Sequence, residues 1–342
     1  MALSPEIPQR PLHIWAVCDD RAGVRNPVLG LCEAIAARVE AQITEHRLVY
    51  QTGWTKLLDR FNAPANWAPE QRLARAGLSP PWPDLWISAA GPSLPLARAA
   101  KRLAAPRPFV VQLQDPRQSV DRFDLVIAPK HDRLEGANVV TLTGAPNRVT
   151  REALDAAALR WAADLERLPR PRAAVLLGGH SKRHRMGRRT GARVIDAVTA
   201  LAAQGVSLMI STSRRTPGHV VEALRARLGA NPTGRLWTGA QDGDNPYLGF
   251  LAVADAVAVT TDSANLLTEA ASAAKPVLML ALPGEPGKLE RLYADLRAQG
   301  LARDFSGRFE TWPSPGLSET DRAADTVLDR FAADRSHNAN LD

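Results

Sequence analysis

Cysteine is nearly absent. Only Cys18 and Cys32 occur in 342 residues, one in a strand-like run and one in a helix-like run, so neither a disulfide framework nor a zinc spacing is available. A reducing cytoplasm fits that usage. No apolar run approaches the roughly 18 residues of a spanning helix, which leaves membrane contact peripheral, at the inner face. The first eleven residues hold three prolines and a Glu and lack the charged-then-apolar order of a signal peptide. Also missing are the G-x-G-x-x-G fingerprint and the G-x-x-x-x-G-K-[ST] phosphate loop, which argues against a nicotinamide dehydrogenase and a P-loop ATPase. There is no repeat of fixed short period and no low-complexity segment. Basic residues are scattered without interleaved aromatics, so nucleic acid is not an expected partner.

What is present is an apolar content of 45% with 23% charged residues, which excludes a wholly disordered chain. The 43 Lys and Arg against 36 Asp and Glu leave a formal +7, a bias toward anionic partners that does not choose among nucleotides, phosphorylated intermediates and anionic lipid. Arg greatly outnumbers Lys, and Ala is abundant. The length exceeds one small core, and two domains are the natural division.

Short β-rich runs at 13–18, 47–50, 84–88, 109–113, 125–128 and 139–142 alternate with Ala/Leu-periodic helices such as 29–40 and 94–103. That alternation reads as a parallel sheet with helices on both faces. A helix at 151–166 leads into Leu168-Pro169-Arg170-Pro171-Arg172, where two prolines stop helix and strand alike. The alternation then restarts, with strands at 173–177, 207–211, 235–237, 256–260 and 277–280 and helices at 190–204, 219–228, 263–273 and 288–299. The expected class is therefore α/β, two Rossmann-like doubly wound domains facing across a cleft. The first is placed at 1–168 and the second at 169–317. An amphipathic helix at 318–333 is expected to pack back on the first domain, and 334–342 to be a frayed polar tail.

Ligands of open parallel sheets lie beyond the carboxyl ends of the strands, which singles out particular loops. In Val259-Thr260-Thr261-Asp262-Ser263-Ala264-Asn265, Asp262 or Ser263 caps a helix whose first-turn amides suit a diphosphate. Asp262, Asn265 and Glu269 are spaced to share one helix face. Glu269 lies roughly 9 Å beyond Ser263 at ~1.5 Å per residue, the reach from a diphosphate to a ribose; the alternative is an ordinary capped helix with an inward Glu. Ser211, Thr212, Ser213, Arg214 and Arg215 offer hydroxyls and guanidiniums to phosphate, or form a solvated turn. Gly178, Gly179 and His180 allow a ligand near the backbone. Lys288, at a helix start that favours anions, is explained by a bound phosphate or is a plain exposed lysine. In the first domain Asp20, Asp115 and His131 follow the first, fourth and fifth strands; His131 and then Asp20 are the candidate bases, against solvated-loop readings of each. No metal site is read.

The run Gly243-Asp244-Asn245-Pro246-Tyr247-Leu248-Gly249-Phe250-Leu251, continuing through Ala254-Asp255-Ala256 to Thr260-Thr261-Asp262-Ser263, resembles the ELM1 family. Asp124-Leu125-Val126-Ile127-Ala128-Pro129 with His131-Asp132, Gly144-Ala145-Pro146-Asn147-Arg148 and the loop from Ser211 to Arg215 match it in the same order. The resemblance spans most of 12–312. It implies a GT-B glycosyltransferase architecture, with a nucleotide-sugar donor on the second domain, an acceptor on the first, no catalytic metal and no tightly bound cofactor. The sequence departs from the family at Gly23-Val24-Arg25-Asn26-Pro27, with Pro27 where Gln is usual. The expected activity is sugar transfer from a nucleotide diphosphate to a cell-envelope glycolipid or polysaccharide, with peripheral contact to anionic membrane. A nucleotide-sugar epimerase on the same plan and a non-catalytic adaptor are the alternatives.

Overall fold

The computed structural model describes residues 10–48, 68–89, 91–181, 184–228, 234–284 and 287–339. The chain divides into two compact units, Met1–Arg148 with Glu319–Asp342, and Val149–Ser318.

In the first unit the order is β1 (Leu12–Asp19), α1 (Ala22–Ala36), β2 (Ala41–Leu48), α2 (Pro69–Arg75), β3 (Leu85–Ala89), α3 (Leu94–Ala100), β4 (Phe109–Leu113), β5 (Leu125–Pro129) and β6 (Val139–Leu142). All pairings are parallel, and the sheet runs β2-β1-β3-β4-β5-β6. Strands β3, β4 and β5 are buried at every position, which is why they read as unbroken apolar runs. The edge strand β2 is only partly covered and alternates polar residues. Its weak apolar signal explains why the expected strand at 47–50 starts instead at Ala41; residues 49 and 50 lie outside the described residues. Pro27 sits inside α1 and has no amide to offer the carbonyl four residues back. That carbonyl, of Gly23, accepts instead from Gln114 Nε2 at 3.2 Å, joining the start of α1 to the loop after β4.

Glu45 on β2 accepts from Arg25 Nε of α1 at 2.6 Å and from Arg47 Nε at 2.9 Å. The Arg25 hydrogen bonds hold its carboxyl down at about 2, against partial burial and with help from Arg47. Since the folded-state value lies below the unfolded one of 4.5, the stabilisation is full above that range and is lost as pH falls toward 2. Glu45→Gln should cost about 1–2 kcal/mol at neutral pH, and urea melts at decreasing pH should show the gap from wild type closing below pH 4.5. Cys18 and Cys32 are both fully buried. Burial pushes the Cys18 thiol up to about 11, reinforced by the Glu45 charge, and drives Cys32 upward as well. Neither thiol should react with a disulfide reagent at pH 8 until the protein is denatured; prompt labelling of the native protein would contradict this burial.

The second unit begins with α4 (Arg151–Leu165), then β7 (Arg172–Leu177), α5 (Arg188–Ala203), β8 (Ser207–Thr212), α6 (Gly218–Leu228), β9 (Gly234–Trp237), α7 (Tyr247–Val253), β10 (Ala256–Thr260), α8 (Ala264–Ser272), β11 (Val277–Leu280), α9 (Leu289–Ala298) and β12 (Ala302–Asp304). The parallel sheet runs β12-β11-β10-β7-β8-β9. Helix α4 corrects the expected boundary at 168. It packs on α7 so closely that a Cβ on Gly249 would stand 2.6 Å from Trp161 Cδ1, and it belongs to the second unit. The prolines at 169 and 171 end that helix ahead of β7 rather than separating domains.

The final helix, Glu319–Ala339, belongs to the first unit. Arg38, in the turn after α1, holds Asp321 at 2.9 Å and Asp325 at 2.6 Å, and the Asn147 amide donates to Thr320 Oγ1 at 2.9 Å. Phe331 is fully buried and meets Phe109 edge-on at 6.0 Å, a burial worth about 1.5–3 kcal/mol. The helix also runs six residues past its expected end at 333, to 339. Arg335, in the segment expected to fray, lies over the Phe331 ring and donates to the Arg107 carbonyl at 3.2 Å.

Candidate functional site

In the second sheet the strand order reverses between β7 and β10. Backbone amides and helix N-termini converge beyond the strand ends at such a point. Strand β10, buried throughout, delivers Thr260, Thr261 and Asp262 there. Ser263 is the cap of α8, its side chain accepting from the Leu266 amide. Asp262 does not share the face of Asn265 and Glu269, as its spacing suggested, because Ser263 is extended (φ −132°) and the helical period begins only after it.

The Asp262 side chain turns back under β7 and has no exposure. It accepts from the Gly179 amide at 3.0 Å, Thr260 Oγ1 at 2.8 Å and Arg215 at 3.0 Å. Thr260 Oγ1 in turn accepts from the Gly178 amide at 2.8 Å. One buried carboxylate thus ties the loops after β7, β8 and β10 together, and Asp262 organises the site rather than presenting charge to a ligand. The glycines are required by contact. A Cβ on Gly178 would lie 2.1 Å from Asp262 Oδ1, and one on Gly179 1.9 Å from the Arg215 carbonyl oxygen.

Ser211 and Thr212 are buried as the last residues of β8, not part of a phosphate-facing loop as expected. The turn proper is Ser213 to Thr216. The Ser213 amide donates to the Leu177 carbonyl at 2.9 Å, and Thr216 Oγ1 to the carbonyls of Leu177 at 2.9 Å and Gly178 at 2.5 Å. Arg214 is exposed. Arg215 divides its guanidinium between Asp262 and the His180 carbonyl at 3.2 Å and keeps 42% of its side chain exposed. His180 is exposed and its Nδ1 accepts from the Met186 amide at 3.3 Å. Lys288 is the residue before α9. That helix is pinned by Tyr293, whose hydroxyl donates to the Thr261 carbonyl; Glu285 and Pro286, just before it, lie outside the described residues.

Glu269 lies on α8 at 9% exposure and accepts from the Tyr247 hydroxyl at 2.5 Å. Burial and the Glu269 charge push the Tyr247 phenol well above its ordinary value, so it stays a donor. Sequence reasoning gave no role to Tyr247, Thr216 or Thr260. Tyr247 stood in a recognised run, but its partner is 22 residues away, and no local spacing links the two.

In the first sheet the order reverses between β1 and β3. Asp20 follows β1 and is exposed. Its neighbour Asp19 is buried and held by Arg21 at 2.6 Å. Burial works against the Asp19 charge, but the Arg21 hydrogen bonds prevail and keep its carboxyl below the usual range. Asp115 closes a turn by accepting from the Arg117 amide at 2.7 Å. His131 is 4% exposed in the turn Lys130–Asp132, its Nε2 3.8 Å from Asp132. Of the two leading base candidates only Asp20 is open to solvent. Among the described residues no group of three or more His, Cys, Asp or Glu is placed to hold a metal, and no helix is long and apolar enough to cross a membrane.

Two doubly wound parallel sheets on one chain define a two-domain α/β protein, a fold it shares with UDP-GlcNAc 2-epimerases. The sequence model of the mitochondrial fission ELM1 family matches residues 22–331, and the chain belongs to that family. It is 32% identical over 287 residues to mitochondrial fission protein ELM1 of Arabidopsis thaliana, covering 76% of this chain and 67% of that one. An uncharacterised protein of Rickettsia prowazekii, RP120, is 24% identical over 358 aligned residues, covering 92% of this chain and 98% of that one. Among solved structures, UDP-GlcNAc 2-epimerase from Neisseria meningitidis bound to UDP-GlcNAc superposes with a TM-score of 0.54 at 12% identity, covering 94% of this chain and 100% of that one. At that identity the likeness is one of fold.

Proposed function

We propose that the second unit binds a nucleotide-diphosphate sugar at the β7/β10 reversal and that the protein transfers the sugar to a cell-envelope glycolipid or polysaccharide. The carrying observation is the platform locked by Asp262, which ties the loops after β7, β8 and β10 together beside the start of α8 and leaves part of Arg215 exposed. A helix start and a guanidinium stabilise a departing diphosphate without reorganising. Glu269, oriented by Tyr247, stands at ribose distance along α8. Asp20 is the base for the acceptor hydroxyl, since it is the exposed carboxylate at the reversal of the first sheet.

Thermal melting against a panel of nucleotide diphosphates and their sugars tests the donor half. A ligand at a hundredfold its Kd adds about 2.7 kcal/mol to the native state, and the matching base should raise the melting temperature selectively. No shift from any of them at millimolar concentration would overturn the donor site and favour an adaptor. Product analysis with the selected sugar and no acceptor separates transfer from epimerisation, because only an epimerase converts the donor alone.

A further inference from the structure

Away from the loops just described, the first unit has a concavity lined with basic residues. Helices α2 and α3 and the turn Val120–Arg122 border an open hollow of about 560 Å³. Arg72, Arg98, Lys101, Arg102 and Arg122 line it, with Asp121 as the sole carboxylate in its wall among the described residues. Lys101 and Arg102 follow α3 on its way to the start of β4, and Arg122 stands just ahead of β5. The cavity thus opens where these strands begin, whereas Asp20, Asp115 and His131 lie where strands end.

The charges in this wall are unevenly answered. Lys101 gives its ammonium to Asp124 at 2.6 Å, and Asp124 also takes Arg107 at 2.9 Å and the Val110 amide at 2.8 Å. Asp121 accepts from Ser119 Oγ. Arg98 and Arg122, in contrast, donate to the same neutral acceptor, Gln118 Oε1, at 3.3 and 3.4 Å. Burial, and then the positive charges of Arg122 and Arg72, push the Arg98 guanidinium below its ordinary value. Two guanidiniums sharing one amide oxygen, with the charge of Arg72 nearby, carry a repulsion that a compact anion with several oxygens removes. Arginine forks fit phosphate oxygens in pairs. Among the described residues the rest of the wall is Pro69, Pro95 and Ala99, which offer no aromatic surface on which a base could stack.

We propose that this cavity binds a phosphate monoester dianion, with Arg98 and Arg122 taking its oxygens. The ligand is either a free phosphate compound or the headgroup of a phosphomonoester lipid, and the two share the same recognition chemistry.

The test is calorimetric titration of the full chain with inorganic phosphate at constant ionic strength, beside co-sedimentation with phosphatidylcholine vesicles carrying phosphatidic acid or, at matched charge, phosphatidylserine. Arg98→Gln and Arg122→Gln are the variants. Each lost guanidinium should weaken binding about tenfold or more. In phosphate-free buffer both variants should melt no lower than wild type, because each relieves repulsion; a merely structural arginine would show the opposite. Saturable binding of inorganic phosphate, lost in both variants, supports a free phosphate compound. Sedimentation with phosphatidic acid but not phosphatidylserine, lost in both variants, supports the lipid headgroup. Absence of binding in both assays, equal sedimentation with the two lipids in the absence of saturable phosphate binding, or binding that survives both substitutions would overturn the proposal.

Discussion

Gly178→Ala should destabilise the protein by about 3 kcal/mol, lowering its melting temperature by roughly 6–12 °C for a unit of this size. The added methyl would lie 2.1 Å from Asp262 Oδ1, and the carboxylate cannot retreat without abandoning its partners. Displacing it leaves the Gly179 amide unpaired in a buried setting and frees Arg215 from its buried anchor. An unmatched buried donor costs about 1–3 kcal/mol, more when charge is involved. Asp262→Ala should produce a similar loss by removing the carboxylate outright. Differential scanning calorimetry checks both; a Gly178→Ala protein melting within a degree of wild type would show that the three loops are not held through this carboxylate.

Glu269→Ala should weaken binding of the nucleotide diphosphate selected by thermal melting about 10- to 100-fold, the loss expected when a buried carboxylate no longer accepts from paired ribose hydroxyls. Tyr247→Phe keeps the carboxylate and removes only the hydroxyl that orients it at 2.5 Å, so a smaller loss of about 3- to 10-fold is expected. Isothermal titration with the nucleotide and with its 2′-deoxy analogue distinguishes the contact. A deoxy analogue that binds wild type poorly but loses nothing further in Glu269→Ala places the carboxylate on the ribose. Unchanged affinity in a folded Glu269→Ala protein removes that assignment and leaves the Asp262 platform to stand alone.

These two expectations differ in how far the sequence could reach them. Glu269 was within reach because helical spacing measured from Ser263 gives its distance along one element. The role of Asp262 was not, since the same spacing placed it on a ligand-facing helix surface. The extended conformation of Ser263 and a pull from across the sheet decided otherwise. Ser211 and Thr212 illustrate the same limit, because a strand end and a loop start have the same composition and only pairing with Leu176 and Leu177 makes them strand. His131 read as an available base from its neighbours, yet it is buried.

The sequence by itself determined the fold class and nearly all the strands, and narrowed the cap of α8 to Asp262 or Ser263. Each depends on a local signal: an apolar run for a doubly covered strand, a period near 3.6 for a helix, a hydroxyl at its start. Only the tertiary structure decided that α4 belongs with the second unit, that the last helix extends to 339, and that one buried carboxylate serves three loops. In each case the deciding contact joins residues distant in the chain: Trp161 with Gly249, Arg335 with Arg107, Asp262 with Gly179 and Arg215. The energy of such contacts depends on packing in three dimensions, which no pattern along the chain encodes.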